Sequence, residues 1–182
     1  NRKYTMNIRA MQVFAVCASK CSTVREQVMK PEEMQLAHQV FAPGLFNKTW
    51  EYLSMEDRTQ TETEEMIHAA HASRYHWSKI GKDVNLARGE WLLARVYAVA
   101  DRPEEALYWA HRCYSRCNGV GLSNFDCAAA CEAVARSLLV AGRIPEAVEW
   151  RDKAAAMGER IEEQEERRIF EEDLSTLNLL LK

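Results

Sequence analysis

Residues 94–110 read ARVYAVADRPEEALYWA, and residues 135–151, which begin 41 positions later, read ARSLLVAGRIPEAVEWR. Eight of the 17 aligned positions are identical, where chance at this composition would give about one or two. Each copy places a turn, Asp101-Arg102 or Gly142-Arg143, between two runs with helical periodicity. The match predicts one helix-turn-helix unit that is used twice.

A third and fainter copy lies upstream. Residues 64–71 (EEMIHAAH) align with residues 104–111 (EEALYWAH) at a shift of 40 and share four positions. The alignment makes the helix predicted at 62–79 the second helix of a degenerate first repeat.

Glycine and proline divide the remaining chain into helix-sized segments. We predict seven helices, near 32–55 with an interruption at Pro43-Gly44, 62–79, 84–100, 103–117, 124–141, 144–157 and 160–179. Thr61 and Asn124 stand where N-cap residues are expected, with acids in the turn that follows. Pro103 and Pro145 fall in first turns, where a missing N–H costs nothing.

The composition limits the class of protein. The chain has 182 residues, of which 47% are hydrophobic, enough for a packed core and against wholesale disorder. Twenty-four basic residues against 27 acidic ones give a net charge of −3, which argues against a nucleic-acid or anionic-membrane partner. No apolar run is long enough for a spanning helix. No alternating run rich in Val, Ile or Thr occurs, so the sequence predicts a soluble all-α fold.

The two ends carry opposite charge. Residues 1–30 hold six basic side chains against Glu26 alone, whereas residues 159–173 hold eight acids against three arginines. The first segment is predicted to be a basic arm, partly helical or flexible. It resembles an organelle transit segment, which leaves a mitochondrial or other organellar location open. No secretory signal is evident, and this favours a cytoplasmic protein.

The repeat pattern reaches a known family at the apolar and small positions where two helices cross. These positions, in the two clear copies, are Leu93, Ala94, Tyr97, Glu105-Ala106 and Cys113, and Val134, Ala135, Leu138, Glu146-Ala147 and Ala154. They resemble the tetratricopeptide repeat. The stretches at 46–50, 68–77 and 85–91 are similar to a group of uncharacterised bacterial proteins of that superfamily.

The resemblance implies a right-handed α-solenoid of about three helix pairs. Residues 31–182 would then be one helical repeat domain, with units at about 31–81, 84–121 and 124–158 and a cap at 160–179. A cap is expected because each unit buries its apolar face against a neighbour, and the last face must be closed. The acidic side of the cap is interpreted as a solvated face, or as a docking site for a basic partner.

The resemblance also implies a function. The first helix of each pair lines a concave groove in this family, which assigns the groove to Arg88, Trp91, Arg95, Glu132 and Arg136. Two equivalent arginines beside a tryptophan suit a carboxylate-bearing segment, so we expect a non-catalytic scaffold that binds a peptide or protein, one that is acidic. Intramolecular pairing of these arginines with Glu90, Glu132 or the last helix is the alternative. No cofactor is expected.

Three further hypotheses stay open. Glu64, His68 and His71 share one helical face and suit a metal ion. Three Cys-x3-Cys pairs occur, at Cys17 and Cys21, at Cys113 and Cys117, and at Cys127 and Cys131. The last two resemble the twin hairpins of small mitochondrial carriers, with Cys117 near Cys127 and Cys113 near Cys131; zinc binding or simple packing are the alternatives.

The third hypothesis is a structural subunit of a larger assembly that docks through the charged ends, and a homodimer is also left open. No Gly-rich phosphate loop, nucleophile elbow or His-Glu-x-x-His motif occurs, so no catalytic activity is expected.

Overall fold

The computed structural model describes residues 29–180 except 118 and 120. The chain divides into two compact units, Asn1–Met34 and Gln35–Lys182. Nearly all of the basic arm, with Cys17 and Cys21, lies outside the described residues. Within the described part the secondary structure is all helical, which confirms the all-α prediction. None of the described helices has the length and apolar character that a membrane crossing requires.

Seven helices follow one another along the described chain. They are α1 (Pro31–Leu53), α2 (Gln60–Ile80), α3 (Asp83–Val99), α4 (Pro103–Cys117), α5 (Asn124–Val140), α6 (Ile144–Gly158) and α7 (Gln164–Leu180). Each corresponds to a predicted segment, and most ends agree within two residues. The start of α7 differs most, since the chain makes an extra turn after α6.

Two helix starts differ from the predicted caps. Thr59, not Thr61, caps α2, and it forms a capping box in which its side chain and that of Glu62 each bind the other's backbone N–H. Ser123, not Asn124, caps α5 and accepts a backbone N–H with its hydroxyl. The reason is that an N-cap has extended backbone angles and stands before the first helical residue. Several polar residues occur near the start of each helix, and periodicity does not tell which of them is the last residue before it.

The predicted interruption at Pro43-Gly44 is wrong, because α1 continues through it. A proline inside a helix removes the hydrogen bond to the carbonyl four residues earlier, here that of Gln39. Gln39, Pro43 and Gly44 are all exposed, so water can reach that carbonyl. On the buried face of the same helix the hydroxyl of Ser73 donates to the carbonyl oxygen of Ala42 at 2.8 Å and ties α1 to α2.

Each helix from α2 to α7 packs against the next one, and contacts also join α3 to α5 and α5 to α7. Small residues fill the crossings. Ala94 meets Ala110 and Ala147 in one buried cluster, and Ala106 is buried beside α2 and α3 in another. Small side chains let helix axes approach closely, so the alanine pattern of the sequence sets these crossings.

The 41-residue repeat recurs in the backbone. Asp101 ends α3 with φ of 55°, and Gly142 ends α5 with φ of 72°. In both turns the backbone N–H of the following arginine donates to the carbonyl oxygen five residues earlier at 2.9 Å. The acceptor is Tyr97 in one copy and Leu138 in the other. A left-handed residue followed by this hydrogen bond is a common way to end a helix. The two hairpins are therefore closed by the same turn.

The fainter third copy has a counterpart in aromatic contacts. His71 on α2 meets Trp109 on α4 edge to face at 5.5 Å, and His111 on α4 meets Trp150 on α6 in the same way at 5.9 Å. Each histidine is 40 residues from its equivalent, and each tryptophan 41. One contact between successive second helices is thus made twice.

Candidate functional site

A cavity lies between the first helix of each hairpin and the last helix, and we call it the groove. Its volume is about 480 Å³, and α1, α3, α5 and α7 supply nearly all its walls. Five aromatic side chains line it: Phe46, Trp50, Trp91, Phe125 and Phe170. A cavity of this size with mostly apolar walls is typical of binding sites.

The helices place these rings by their spacing. Phe46 and Trp50 are four residues apart on one face of α1, and the ring of Trp50 lies 5.7 Å from that of Trp91 on α3. Ala87 and Ala129 have side chains too short to fill the space in front of them, so α3 and α5 leave the floor open. The cavity exists because large residues alternate with small ones around it.

Charged side chains surround the aromatic ones. Five carboxylates line the groove: Asp126, Glu132, Glu166, Glu172 and Asp173. Arg88 is the guanidinium among the lining side chains, and it is 48% exposed.

Arg88 is held by the next repeat. Its Nε donates to Oδ1 of Asp126 at 2.7 Å, and its guanidinium lies 5.8 Å from the ring centre of Phe125. Asp126 is buried and also accepts the hydroxyl of Ser123, the N-cap of α5. The charge of Arg88 is therefore neutralised inside the molecule.

The two equivalent arginines share one buried carboxylate. Nε of Arg136 donates to Oε1 of Glu132 at 2.7 Å, and Nη1 of Arg95 approaches the same oxygen at 3.4 Å. Arg95 also pairs with Asp173 of α7, and Arg136 donates to the hydroxyl of Thr176 at 2.8 Å. Burial raises the pKa of Glu132, and the guanidiniums of Arg136 and Arg95 act against that rise. This network binds α7 to α3 and α5.

The five predicted groove residues lie on α3 and α5, but not all of them line the cavity. Arg88, Trp91 and Glu132 line the cavity, while Arg95 and Arg136 are turned toward α7. The intramolecular pairing that was the alternative is present for Arg95, with Glu132 and the last helix, and for Arg136, with Glu132, while Arg88 pairs with Asp126, a partner that was not expected. Their role in binding a partner stays a prediction.

Sequence reasoning missed half of the groove. Phe46 and Trp50 carried a usable signal, since they are four residues apart on a helix that occupies the first-helix position of a repeat. Phe170 and Glu166 carried none, because the cap was expected to close the end of the last unit. Whether the cap also forms a wall of the groove depends on the angle at which α7 returns, and residue spacing does not contain that angle.

The metal hypothesis has no geometric support. Glu64 accepts a hydrogen bond from Gln60, His68 is exposed, and Nε2 of His71 lies 2.8 Å from the hydroxyl of Tyr97. No group of three or more metal-ligating side chains is placed to hold an ion in the part of the chain that the structure describes. Glu64 and His68 are exposed whereas His71 is half-buried against Tyr97, so the three side chains do not converge.

The described cysteines are free thiols: Cys113, Cys117, Cys127 and Cys131. Cys117 and Cys127 lie close enough to affect each other's pKa, as the hairpin hypothesis expected. Cys113 instead donates to the carbonyl oxygen of Ala87, and Cys131 contacts the sulfur of Met157. Burial raises the pKa of Cys131 to about 11. These thiols pack as small apolar groups.

A second charged cluster lies away from the groove, between α2, α3 and α4. Glu90 is fully buried and accepts hydrogen bonds from Arg74 at 2.9 Å, Arg112 at 2.9 Å and Arg116 at 2.7 Å. Burial would raise the pKa of this carboxyl, but the three guanidiniums outweigh it and hold the pKa below its ordinary value. The cluster joins three helices at one point.

Comparisons with other proteins add no relative: no family model matches the chain, and neither curated proteins nor solved structures give a match.

Proposed function

We propose that residues 35–182 are a tetratricopeptide-like, right-handed α-solenoid of three helix pairs with a capping helix, which acts as a non-catalytic scaffold. In this proposal the groove binds a segment of a partner protein. The observation that carries it is the cavity of about 480 Å³ with five aromatic side chains on its walls. The repeated turn after α3 and α5 and the repeated histidine–tryptophan contacts support the solenoid.

An aromatic cavity with a charged rim suits protein recognition. Binding energy at interfaces is concentrated in a few apolar anchors that enter a desolvated pocket, while polar groups at the rim set orientation. The rings of Trp50, Trp91 and Phe125 supply the apolar surface, and the carboxylates of α7 supply the rim. One bulky side chain of a partner would be the anchor.

The groove is also formed in advance. Arg95 and Arg136 hold α7 through Asp173 and Thr176, and Phe170 and Leu177 of α7 are buried. A wall that is already fixed does not have to be ordered when the partner arrives, and this lowers the entropic cost of binding.

Ile169 provides a direct test, because it lines the groove on α7 and is 40% exposed. We expect Ile169→Ser to weaken binding of peptides, selected from a random displayed library on the full chain, by about tenfold, the cost of losing one apolar contact in the site. Affinity is measured by isothermal titration calorimetry.

Ile144 is the matched control. It is 44% exposed at the start of α6 and does not line the groove, so Ile144→Ser leaves the affinity unchanged. Selected peptides that bind both variants as tightly as the parent chain would place the site elsewhere.

A further inference from the structure

We propose that the groove selects a basic segment, one in which a lysine or arginine stands next to an aromatic or aliphatic anchor. The inference rests on the proposed partner-binding function and names the chemistry of the partner. It differs from the acidic partner that the groove arginines suggest in the sequence, and it agrees with the basic partner considered there for the acidic last helix.

The arginine side chains at the groove already have carboxylate partners. Arg88 is paired with Asp126 at 2.7 Å, and Arg95 and Arg136 are paired with Glu132 and Asp173. At Arg95 and Arg136 an acidic segment would have to displace one of these carboxylates, and at Arg88 its carboxylate would lie beside that of Asp126. Leaving a buried carboxylate such as Glu132 without its partners is costly, so such an exchange is unfavourable.

Carboxylates outnumber guanidiniums among the side chains that line the groove. Glu166 lines the groove and is partly exposed, and its carboxylate forms no ion pair with any residue in the described ranges. Glu172 lies six residues further along α7 and shares a single guanidinium, that of Arg168, with Glu165. A basic group entering beside Glu166 therefore gains an ion pair without breaking one.

The aromatic side chains of the groove also suit a lysine or arginine side chain. The electron-rich face of an aromatic ring attracts a cation, and the aliphatic stem of lysine or arginine packs on apolar surface. The chain already makes two such contacts here, with Arg95 at 5.7 Å from Trp91 and Arg88 at 5.8 Å from Phe125. Trp50 and Phe46 offer further aromatic surface on the opposite wall.

The test uses the full chain and a random displayed peptide library without charge bias. We expect the retained peptides to carry lysine or arginine next to a bulky apolar residue. The affinity of one retained peptide is then measured by calorimetry for the parent chain and for two variants, Glu166→Gln and Glu171→Gln.

Glu166→Gln is expected to weaken binding about fivefold, the worth of one partly desolvated ion pair. Glu171 is exposed on the same helix but does not line the groove, so Glu171→Gln makes the same charge change and leaves the affinity as it was. The fivefold loss should also shrink as salt is added.

The outcomes separate the two proposals. If no peptide is retained, or if the retained peptides do not respond to Ile169→Ser, the groove is not the binding site and both proposals fail. If the peptides respond to Ile169→Ser but are acidic or neutral, only the basic-partner inference fails. An unchanged affinity in Glu166→Gln, or an equal loss in Glu171→Gln, overturns that inference as well.

Discussion

At the scale of single residues, Glu90 shows how charge is managed in this interior. Three guanidiniums surround one carboxylate with no exposed surface, and they come from two helices other than its own. The Cα of Gly89, the neighbouring residue, lies so close that an added Cβ would be 3.0 Å from the Arg74 side chain. The lack of a side chain at Gly89 therefore lets Arg74 pack close to α3 beside the carboxylate of Glu90.

We predict that Glu90→Gln lowers the free energy of unfolding by about 3 kcal/mol, because it leaves the guanidiniums of Arg74 and Arg112 without a counter-charge and Arg116 with Asp83 alone. Urea denaturation followed by circular dichroism measures the loss. Glu104→Gln, at an exposed position of α4, serves as the control and should change little. Equal stabilities for the two variants would contradict a structural role for the cluster.

At the scale of the helices, the contact between α6 and α7 depends on one glycine. Gly158 is the last residue of α6, and a Cβ built on it would overlap Cε1 of Phe170. The Phe170 ring is buried with Ile161 and Ala154. The absence of a side chain at position 158 is thus what admits the ring and sets how α7 lies on α6.

Alanine at two helical glycines should have opposite effects. Gly158→Ala is expected to destabilise the protein by about 1–3 kcal/mol through overpacking against Phe170. Gly44→Ala, in the interior of α1 with nothing within 4 Å of the added Cβ, should stabilise it by about 1 kcal/mol. Urea denaturation gives both signs, and hydrogen exchange of α7 tests where the first effect acts. Stabilisation by Gly158→Ala would show that Phe170 is not packed there.

At the scale of the whole molecule, ionisable groups in several helices make the folded state more stable at neutral than at acidic pH. Burial lowers the pKa of His71 and of His76. Nδ1 of His76 lies 2.7 Å from Nδ1 of His38, so one ring must donate and the other accept, and both cannot be charged without losing the bond. The pKa of Glu90 is also below its ordinary value.

We predict that the free energy of unfolding decreases in two stages as the pH is lowered. Below 6.5, the ordinary pKa of histidine, the unfolded chain takes up protons that His71 and His76 resist in the folded state. Below 4.5, the ordinary pKa of glutamate, the unfolded chain protonates Glu90 before the folded one does. Urea midpoints across this range measure both stages.

The double variant His71→Gln with His76→Gln removes only the upper stage. A parent chain with the same urea midpoint on both sides of pH 6.5 would count against this account of the histidines.

The sequence by itself was sufficient for the helices and for the repeat. Periodicity and helix-breaking residues act over one or two turns, and the 41-residue self-similarity relates one hairpin to the next, so the turns at Asp101 and Gly142 and the alanines at the crossings could be predicted from them. Trp91 and Glu132 were placed in a groove by the resemblance to the tetratricopeptide repeat. Local signals erred at Pro43 because they do not say whether a freed carbonyl faces water.

Only the tertiary structure decided which charges meet and where α7 lies. Arg95 finds Asp173, 78 residues away, because α7 returns along α5 and not across the end of α6 alone. Such a pair depends on helix crossing angles, and these depend on side-chain volumes at positions such as Gly158 and Phe170 taken together. The arginines that the sequence offers as a site for an acid are therefore paired in the fold, and among the described residues that line the groove the carboxylate without an ion pair is that of Glu166.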